Sequence, residues 1–310
     1  MSFVRPEIVR PPSEWRSYFL PATSGCSNNT CTFCSNYGSN LQIRDLDDIK
    51  GEIDAVALFI RSGITIPGMQ AIVYEICQGW DGKGIFLQDS DALVYPFLEL
   101  REILQHLNQK LPFVKRVAAY ATAQDILRRN LEELEELAEL KLGILYVGLE
   151  SGDNEVLRKV AKGVDSWQMI EAVTKAKKAG IMTSITVILG LAGIEGSEEH
   201  TLATARVLSE MDPDYVGALT LTLVSGTPLY QEWKQGDFSP ISPFQSLKEL
   251  KRMVEYSNFT NCFFSSMHAS NYFSIRGRLP QEKERMIGEL EVVLGKADLS
   301  SLRPEFLRGL

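Results

Sequence analysis

The sequence predicts an α/β fold with parallel strands, on three observations. Short apolar runs alternate with longer segments of helical periodicity along most of the chain. Six such strand–helix units can be counted, fewer than the eight of a full barrel. The length of 310 residues, 45% hydrophobic and 23% charged, suits a globular domain of barrel type. Right-handed crossovers would bring the strands together as a partial barrel or as an open doubly wound sheet. In either architecture the active site belongs at the carboxyl ends of the strands.

Pro6, Pro11 and Pro12 make the opening 1–17 an extended lead-in. The expected strands are Tyr18–Ala22, Ile85–Leu87, Val117–Tyr120, Ile144–Leu149, Ser184–Leu189 and Tyr215–Leu221. Leu131, Leu134, Leu137 and Leu140 form one stripe of an amphipathic helix whose other face is glutamate. Ser166 is placed to cap a helix with Trp167, Ile170 and Val173 on its apolar stripe, closed by Gly180. Ser197 is placed to cap another, which runs to about Met211 and stops before Pro213. Beyond Trp233 the pattern changes. FSPISPFQS reads as a loop, a helix follows through Leu247–Tyr256, and a last one is expected at Pro280–Leu294. Residues 18–235 are therefore read as the main domain and 236–310 as its appendage, with no internal repeat.

Thirty-two basic residues against forty acidic ones leave a formal charge of −8, which argues against bulk electrostatic binding of nucleic acid. The longest apolar run, Ile185–Ile194, is interrupted by Thr186, Gly190 and Gly193, so no membrane span is expected. The first residues lack the apolar core of a secretory signal, and a cytoplasmic location is expected. In a reducing compartment, clustered cysteines point to metal or catalysis and not to disulfides.

The densest chemical signal directly follows the first strand. In GCSNNTCTFCSNYG, Cys26, Cys31 and Cys34 have the spacing C-x4-C-x2-C in a loop of Gly, Ser and Asn. Three thiolates held this closely can ligate three irons of a cubane cluster and leave the fourth iron open. They can equally contribute to a zinc site, for which Cys77, Cys262, His106, His200 and His268 are the available fourth ligands.

In order along the chain, the cysteine loop with Phe33 before its last cysteine, FLQDSDAL, YVGLESGDNEVLRKVAKG and TSITVILGLAG resemble the motifs of the radical S-adenosylmethionine (SAM) superfamily. The resemblance covers about Tyr18 to Val224. It is similar in style to the coproporphyrinogen oxidase-like and Elongator-like branch. Two departures stand out. The commonest family spacing is C-x3-C-x2-C, and the glycine-rich SAM motif is replaced by Gln88-Asp89-Ser90-Asp91.

The resemblance implies a partial (β/α)6 TIM-type barrel with a short C-terminal helical extension over its mouth. It implies a [4Fe-4S] cluster on Cys26, Cys31 and Cys34, with SAM chelated at the open iron. One electron from a donor such as flavodoxin or ferredoxin would then cleave SAM to methionine and a 5′-deoxyadenosyl radical. Around SAM it implies Asp89 or Ser90 at the ammonium, Glu150 at the ribose hydroxyls, Lys162 at the carboxylate, and Tyr120 and Thr186 as polar contacts. Leu191 and Phe33 would border adenine.

The tail segment FFSSMHASNYFSIRGRLP gathers His268, Asn271, Tyr272, Arg276 and Arg278, the candidates for contact with a small-molecule or macromolecular substrate. Among these, His268 and Tyr272 are the candidate acid–base residues. A non-catalytic Fe–S or zinc protein on the same scaffold is the competing reading.

Overall fold

The computed structural model of the protein describes residues 3–8 and 10–309. The chain divides into two compact units. One comprises residues up to Asn29, Gly38–Tyr146 and Lys175–Met182, and the other Thr30–Tyr37, Val147–Thr174 and the chain from Thr183 on.

The first unit begins with β1 (Tyr18–Pro21), every residue of which is buried, as expected of a strand covered on both faces. A two-stranded antiparallel pair, β2 (Thr23–Ser24) and β3 (Gln42–Ile43), brackets the cysteine segment in sequence. Helices α1 (Leu46–Ser62) and α2 (Gln70–Gly79) lead to β4 (Gly84–Gln88). Then come α3 (Phe97–Lys110), β5 (Arg116–Ala121), α4 (Ala123–Arg128), α5 (Leu131–Glu139) and β6 (Leu142–Glu150), whose last four residues belong to the second unit. β1 pairs in parallel with β4, and β4 with β5, in the registers Tyr18↔Ile85 and Ile85↔Val117. The leucine-stripe helix forms as its sequence dictates. A reciprocal capping box between Asn130 and Glu133 starts it, and Leu134 and Leu137 are buried.

The second unit continues with α6 (Asn154–Lys159), α7 (Ser166–Lys178), whose last four residues belong to the first unit, β7 (Met182–Leu189), whose first residue does too, α8 (Ser197–Met211) and β8 (Tyr215–Thr220). It ends with α9 (Pro228–Gln235), α10 (Pro243–Tyr256), β9 (Cys262–Ser265), β10 (Arg276–Leu279) and α11 (Lys283–Lys296). β7, β8 and β9 are parallel, with Thr186 opposite Gly217 and Tyr215 opposite Phe263. β10 returns antiparallel to β9. Burial alternates along β7. Thr183, Ile185, Val187 and Leu189 are buried, and Ser184, Thr186 and Ile188 lie on a more open face.

The α/β class and all six expected strands are present, within two residues of the predicted bounds. Several local expectations are corrected. Asp165, not Ser166, caps α7: its carboxylate accepts from Gln168 N–H at 2.8 Å, while Gln168 Oε1 accepts from Asp165 N–H at 3.0 Å. Trp167 is 68% exposed, and the buried stripe of α7 is Met169, Ala172, Val173 and Ala176. Ser197 is the first residue of α8, not its cap, and its hydroxyl donates to Glu249 at 2.6 Å. The tail segment, for which no strand was expected, contains the antiparallel β9–β10 pair, and the last helix begins at Lys283. Among the described residues no helix is long and apolar enough to cross a membrane.

Candidate active site

In the second unit the stretch Thr30–Tyr37, which carries Cys31 and Cys34, is tied down by its backbone, while Cys26 belongs to the first unit. Thr32 N–H donates to the Val160 carbonyl and Leu229 N–H to the Thr32 carbonyl, each at 3.0 Å. Thr30 Oγ1 reaches the Ala161 carbonyl at 3.0 Å. Between these anchors Cys34 N–H closes a turn on the Cys31 carbonyl (3.1 Å), and Asn36 N–H is directed at Cys34 Sγ (3.5 Å). Burial pushes the Cys31 thiol up to about 11. Lys162 pulls it back, while Glu150 and Cys34 raise it further. Cys34 is raised for the same first reason, against the opposing pull of the Asn36 N–H.

Glu150 ends β6 with φ +64°, a left-handed conformation that costs a non-glycine residue about 1–3 kcal/mol and that clusters at functional sites. The kink folds its carboxylate back over Gly148. A methyl group there would lie 1.9 Å from Oε1 and 3.1 Å from Lys162 Nζ. Lys162 Nζ donates to Glu150 Oε1 at 3.1 Å, both side chains being largely buried. This acid–base pair and both thiols therefore occupy one electrostatic neighbourhood.

The next residue, Ser151, is fixed by His200. The Ile188 carbonyl can only accept, so Nε2–H of His200 donates to it (3.1 Å), leaving Nδ1 to accept from Ser151 Oγ (2.8 Å). Burial depresses His200 to about 4, which keeps it neutral. Beyond Ile188, Gly190 N–H donates at 2.7 Å to Glu249, a carboxyl that burial lifts to about 7. Leu191 joins Val156, Val160 and Leu229 in a buried cluster against which Phe33 and Ile188 pack. The two residues expected to border adenine thus share one apolar surface. Thr186 faces Gly217 across the sheet, where an added Cβ would meet only Leu219 at 4.0 Å, leaving room in front of the threonine.

In the first unit, Gly25 at φ +80° turns the chain into the cysteine loop. A Cβ there would strike the Asn40 carbonyl at 2.7 Å. Gly25 N–H donates to Asp89 Oδ2 at 3.2 Å. Burial raises Asp89, against the pull of that N–H and of Ser90, and Asp89 in turn helps raise the buried Tyr120 hydroxyl. Ser27 Oγ lies 2.5 Å from Asp91 Oδ2 and 2.9 Å from Asp125 Oδ2. Burial and then Asp125 push Asp91 well above the carboxylate range. Asp125 is also raised by burial but is brought below its usual value by hydrogen bonds from Asp91, Thr122 and Ser27 and by Arg128. Asp91 accordingly carries the proton of the pair.

The tail residues separate. Asn271 is buried, donating to the Ala218 and Ser266 carbonyls and accepting from Thr220. His268 pairs with Ser270, Tyr272 OH donates to Glu305 (2.7 Å), and Arg276 is exposed on β10. Glu249, the His200–Ser151 link and the Asp91–Asp125 pair were not anticipated as site elements. Their partners lie 34 to 59 residues apart in sequence, so no local pattern announces them.

Among the described residues no three His, Cys, Asp or Glu side chains form a ready metal-binding group. The donor chemistry nevertheless fits an iron–sulfur centre: two mutually sensed thiols, an N–H aimed at sulfur and a nearby cation that favours thiolate. Together they define an α/β enzyme with a thiol-rich loop beside a strained carboxylate at a strand end. The chain belongs to the radical SAM superfamily, whose profile matches residues 20–205, more than half of the sequence. It is an enzyme, and the cofactors of its family are a [4Fe-4S] cluster and SAM.

Over 271 residues the chain is 25% identical to a probable threonylcarbamoyladenosine tRNA methylthiotransferase of Methanocaldococcus jannaschii, covering 83% of this chain and 55% of the relative. It thus spans about half the length of that curated relative. The fold is similar to TsrM, a radical SAM methyltransferase from Kitasatospora setae (TM-score 0.54, 18% identity, 76% of this chain and 41% of that one). It is also similar to coproporphyrinogen III oxidase HemN from Escherichia coli (TM-score 0.53, 16% identity, 77% and 51%).

Proposed function

We propose that the protein uses SAM to abstract hydrogen from a substrate. Cys26, Cys31 and Cys34 hold the cluster, which supplies the electron that cleaves SAM to methionine and a 5′-deoxyadenosyl radical. The observation that carries this reading is the Glu150–Lys162 pair folded over Gly148 in the electrostatic reach of Cys31 and Cys34. Glu150 takes the ribose hydroxyls, Lys162 the SAM carboxylate, and Asp89 with Ser90 the ammonium. Phe33 and Leu191 offer the adenine an apolar surface, with Tyr120 and Thr186 as polar contacts. A small one-electron carrier such as flavodoxin or ferredoxin supplies the electron. Residues 236–310, which carry His268, Asn271, Tyr272 and Arg276, form the substrate end.

The test is anaerobic reconstitution of the full chain with iron and sulfide. About four irons per chain and 5′-deoxyadenosine formed from SAM under strong reductant are expected. Cys26→Ala, Cys31→Ala and Cys34→Ala combined should abolish both, and Glu150→Ala should weaken SAM binding at unchanged iron content. A colourless protein holding one zinc would instead establish the non-catalytic alternative.

A further inference from the structure

A cavity of about 370 Å³ in the second unit opens beyond the carboxyl end of β8 and reaches Gly190. Tyr230 and Trp233 of α9 line it with rings 5.3 Å apart at an interplanar angle of 62°, and Tyr272 supplies a third ring. The size and aromatic lining are those of a small-molecule site.

Three features restrict the ligand. The ionised groups on the lining, Glu305 and Arg308, neutralise each other at 2.6 Å, and Tyr272 OH also donates to Glu305. A charged ligand would therefore have to break an existing pair. The cation that the Tyr230 and Trp233 rings attract is already supplied by Lys234, whose Nζ lies 5.8 and 5.1 Å from their centroids. Thr222 is among the residues that line the same cavity, and its buried Oγ1 has no hydrogen-bond partner among the described residues. A buried hydroxyl without a partner is costly, and a polar ligand edge removes that cost.

We propose that this cavity binds a neutral, planar heteroaromatic ring of the substrate, with the ring against Trp233 and Tyr230 and its hydrogen-bonding edge on Thr222. Calling the ligand a substrate rests on the radical SAM reading. The binding site itself does not. Gly190 is next to Leu191, part of the proposed adenine surface, so a ring seated here lies along the lining that leads to the cofactor.

The test uses the reconstituted full chain and two probes of similar shape, followed by tryptophan fluorescence and calorimetry. Benzimidazole is planar with a donor and an acceptor, and indane has neither. Benzimidazole should bind and indane should bind more weakly. Trp233→Leu should weaken benzimidazole about tenfold. Thr222→Val should weaken benzimidazole several-fold and leave indane unchanged. Trp233 is 38% exposed, so its truncation leaves the fold intact, which thermal melting of both variants checks. Equal affinity for the two probes, no binding of either, or variants that titrate like the native chain would overturn the proposal. Failure to cleave SAM with probe binding as expected would sink the proposed radical reaction and leave the cavity assignment standing.

Discussion

Glu150 and Lys162, twelve residues apart, meet at 3.1 Å over the one residue of β6 whose missing side chain makes room for them. The carboxylate reaches that position only because Glu150 adopts φ +64°. The two residues after it hold the strain: Ser151 is bonded to His200, and Gly152 N–H donates to Thr204 at 2.8 Å. A conformation of this kind persists where its surroundings over-determine it.

Gly148→Ala should therefore displace the Glu150 carboxylate, since the new methyl would sit 1.9 Å from Oε1. The displaced atoms end a side chain, so the cost falls on the site more than on the fold. We expect SAM affinity to fall about tenfold or more with a melting shift of only a few degrees. Equilibrium dialysis of SAM beside calorimetric melting decides it, and unchanged affinity would mean that Glu150 need not lie where it does to bind the nucleoside.

Two buried groups make opposite contributions to the pH dependence of stability. His200 is about 4 in the folded protein against an ordinary 6.5, so the unfolded chain binds more protons between those values and stability falls as pH drops through them. Glu249 is about 7 against 4.5, so the folded chain binds more protons and stability falls as pH rises through that window. Between pH 4.5 and 6.5 the two slopes cancel. Glu249→Gln should expose an acid-side loss of order 3 kcal/mol, and His200→Gln a loss of similar size toward neutral pH. Urea unfolding across the window tests both, and profiles parallel to the native one would show that neither group is shifted in the fold.

The sequence was legible where structure is local. Each of the six expected strands was a short apolar run, and α5 announced its leucine stripe. β9 and β10 escaped because four-residue strands within a polar, aromatic segment carry too few positions to show a period of two. Trp167 misled because an aromatic at the start of a helix, three residues before Ile170, suggests a core stripe, yet α7 buries small residues and Met169 instead. Ser197 resembled a cap because its partner, Glu249, lies 52 residues away. His200, available in sequence as a zinc ligand, has both nitrogens committed to Ser151 and Ile188. The cysteine spacing was plain from the start, but the strained backbone at Glu150 and the space at Gly148 required the fold.

Arg308 illustrates what a planar cation does that an ammonium cannot. Only 5% of its side chain is exposed. It donates to the Ser270 and Leu221 carbonyls and to Tyr272 OH and Glu305, with its Cζ 4.2 Å from the centroid of the Tyr272 ring. Arg308→Lys retains charge but lacks the fork, so it should lose nearly as much stability as Arg308→Ala, about 2 kcal/mol. Denaturant midpoints of the two variants provide the comparison. A lysine variant as stable as the native protein would show that charge alone holds this segment.

The Asp91–Asp125 pair gives an asymmetric prediction. Asp91 is fully buried and carries the proton, so Asp91→Asn replaces a neutral donor with another neutral donor and should cost less than about 1 kcal/mol. Asp125 is the ionised partner, accepting from Thr122 at 2.6 Å and from Arg128 at 2.7 Å. Asp125→Asn leaves those donors facing an amide and removes the anion that Asp91 donates to, so it should cost about 2 kcal/mol or more. Because Ser27 bridges the two carboxyls and is the neighbour of Cys26, the same asymmetry should appear in iron retained after reconstitution: near native for Asp91→Asn and reduced for Asp125→Asn. Equal losses in the two variants would mean that the proton is shared and not held by Asp91, and full iron in both would separate this pair from the cysteine loop.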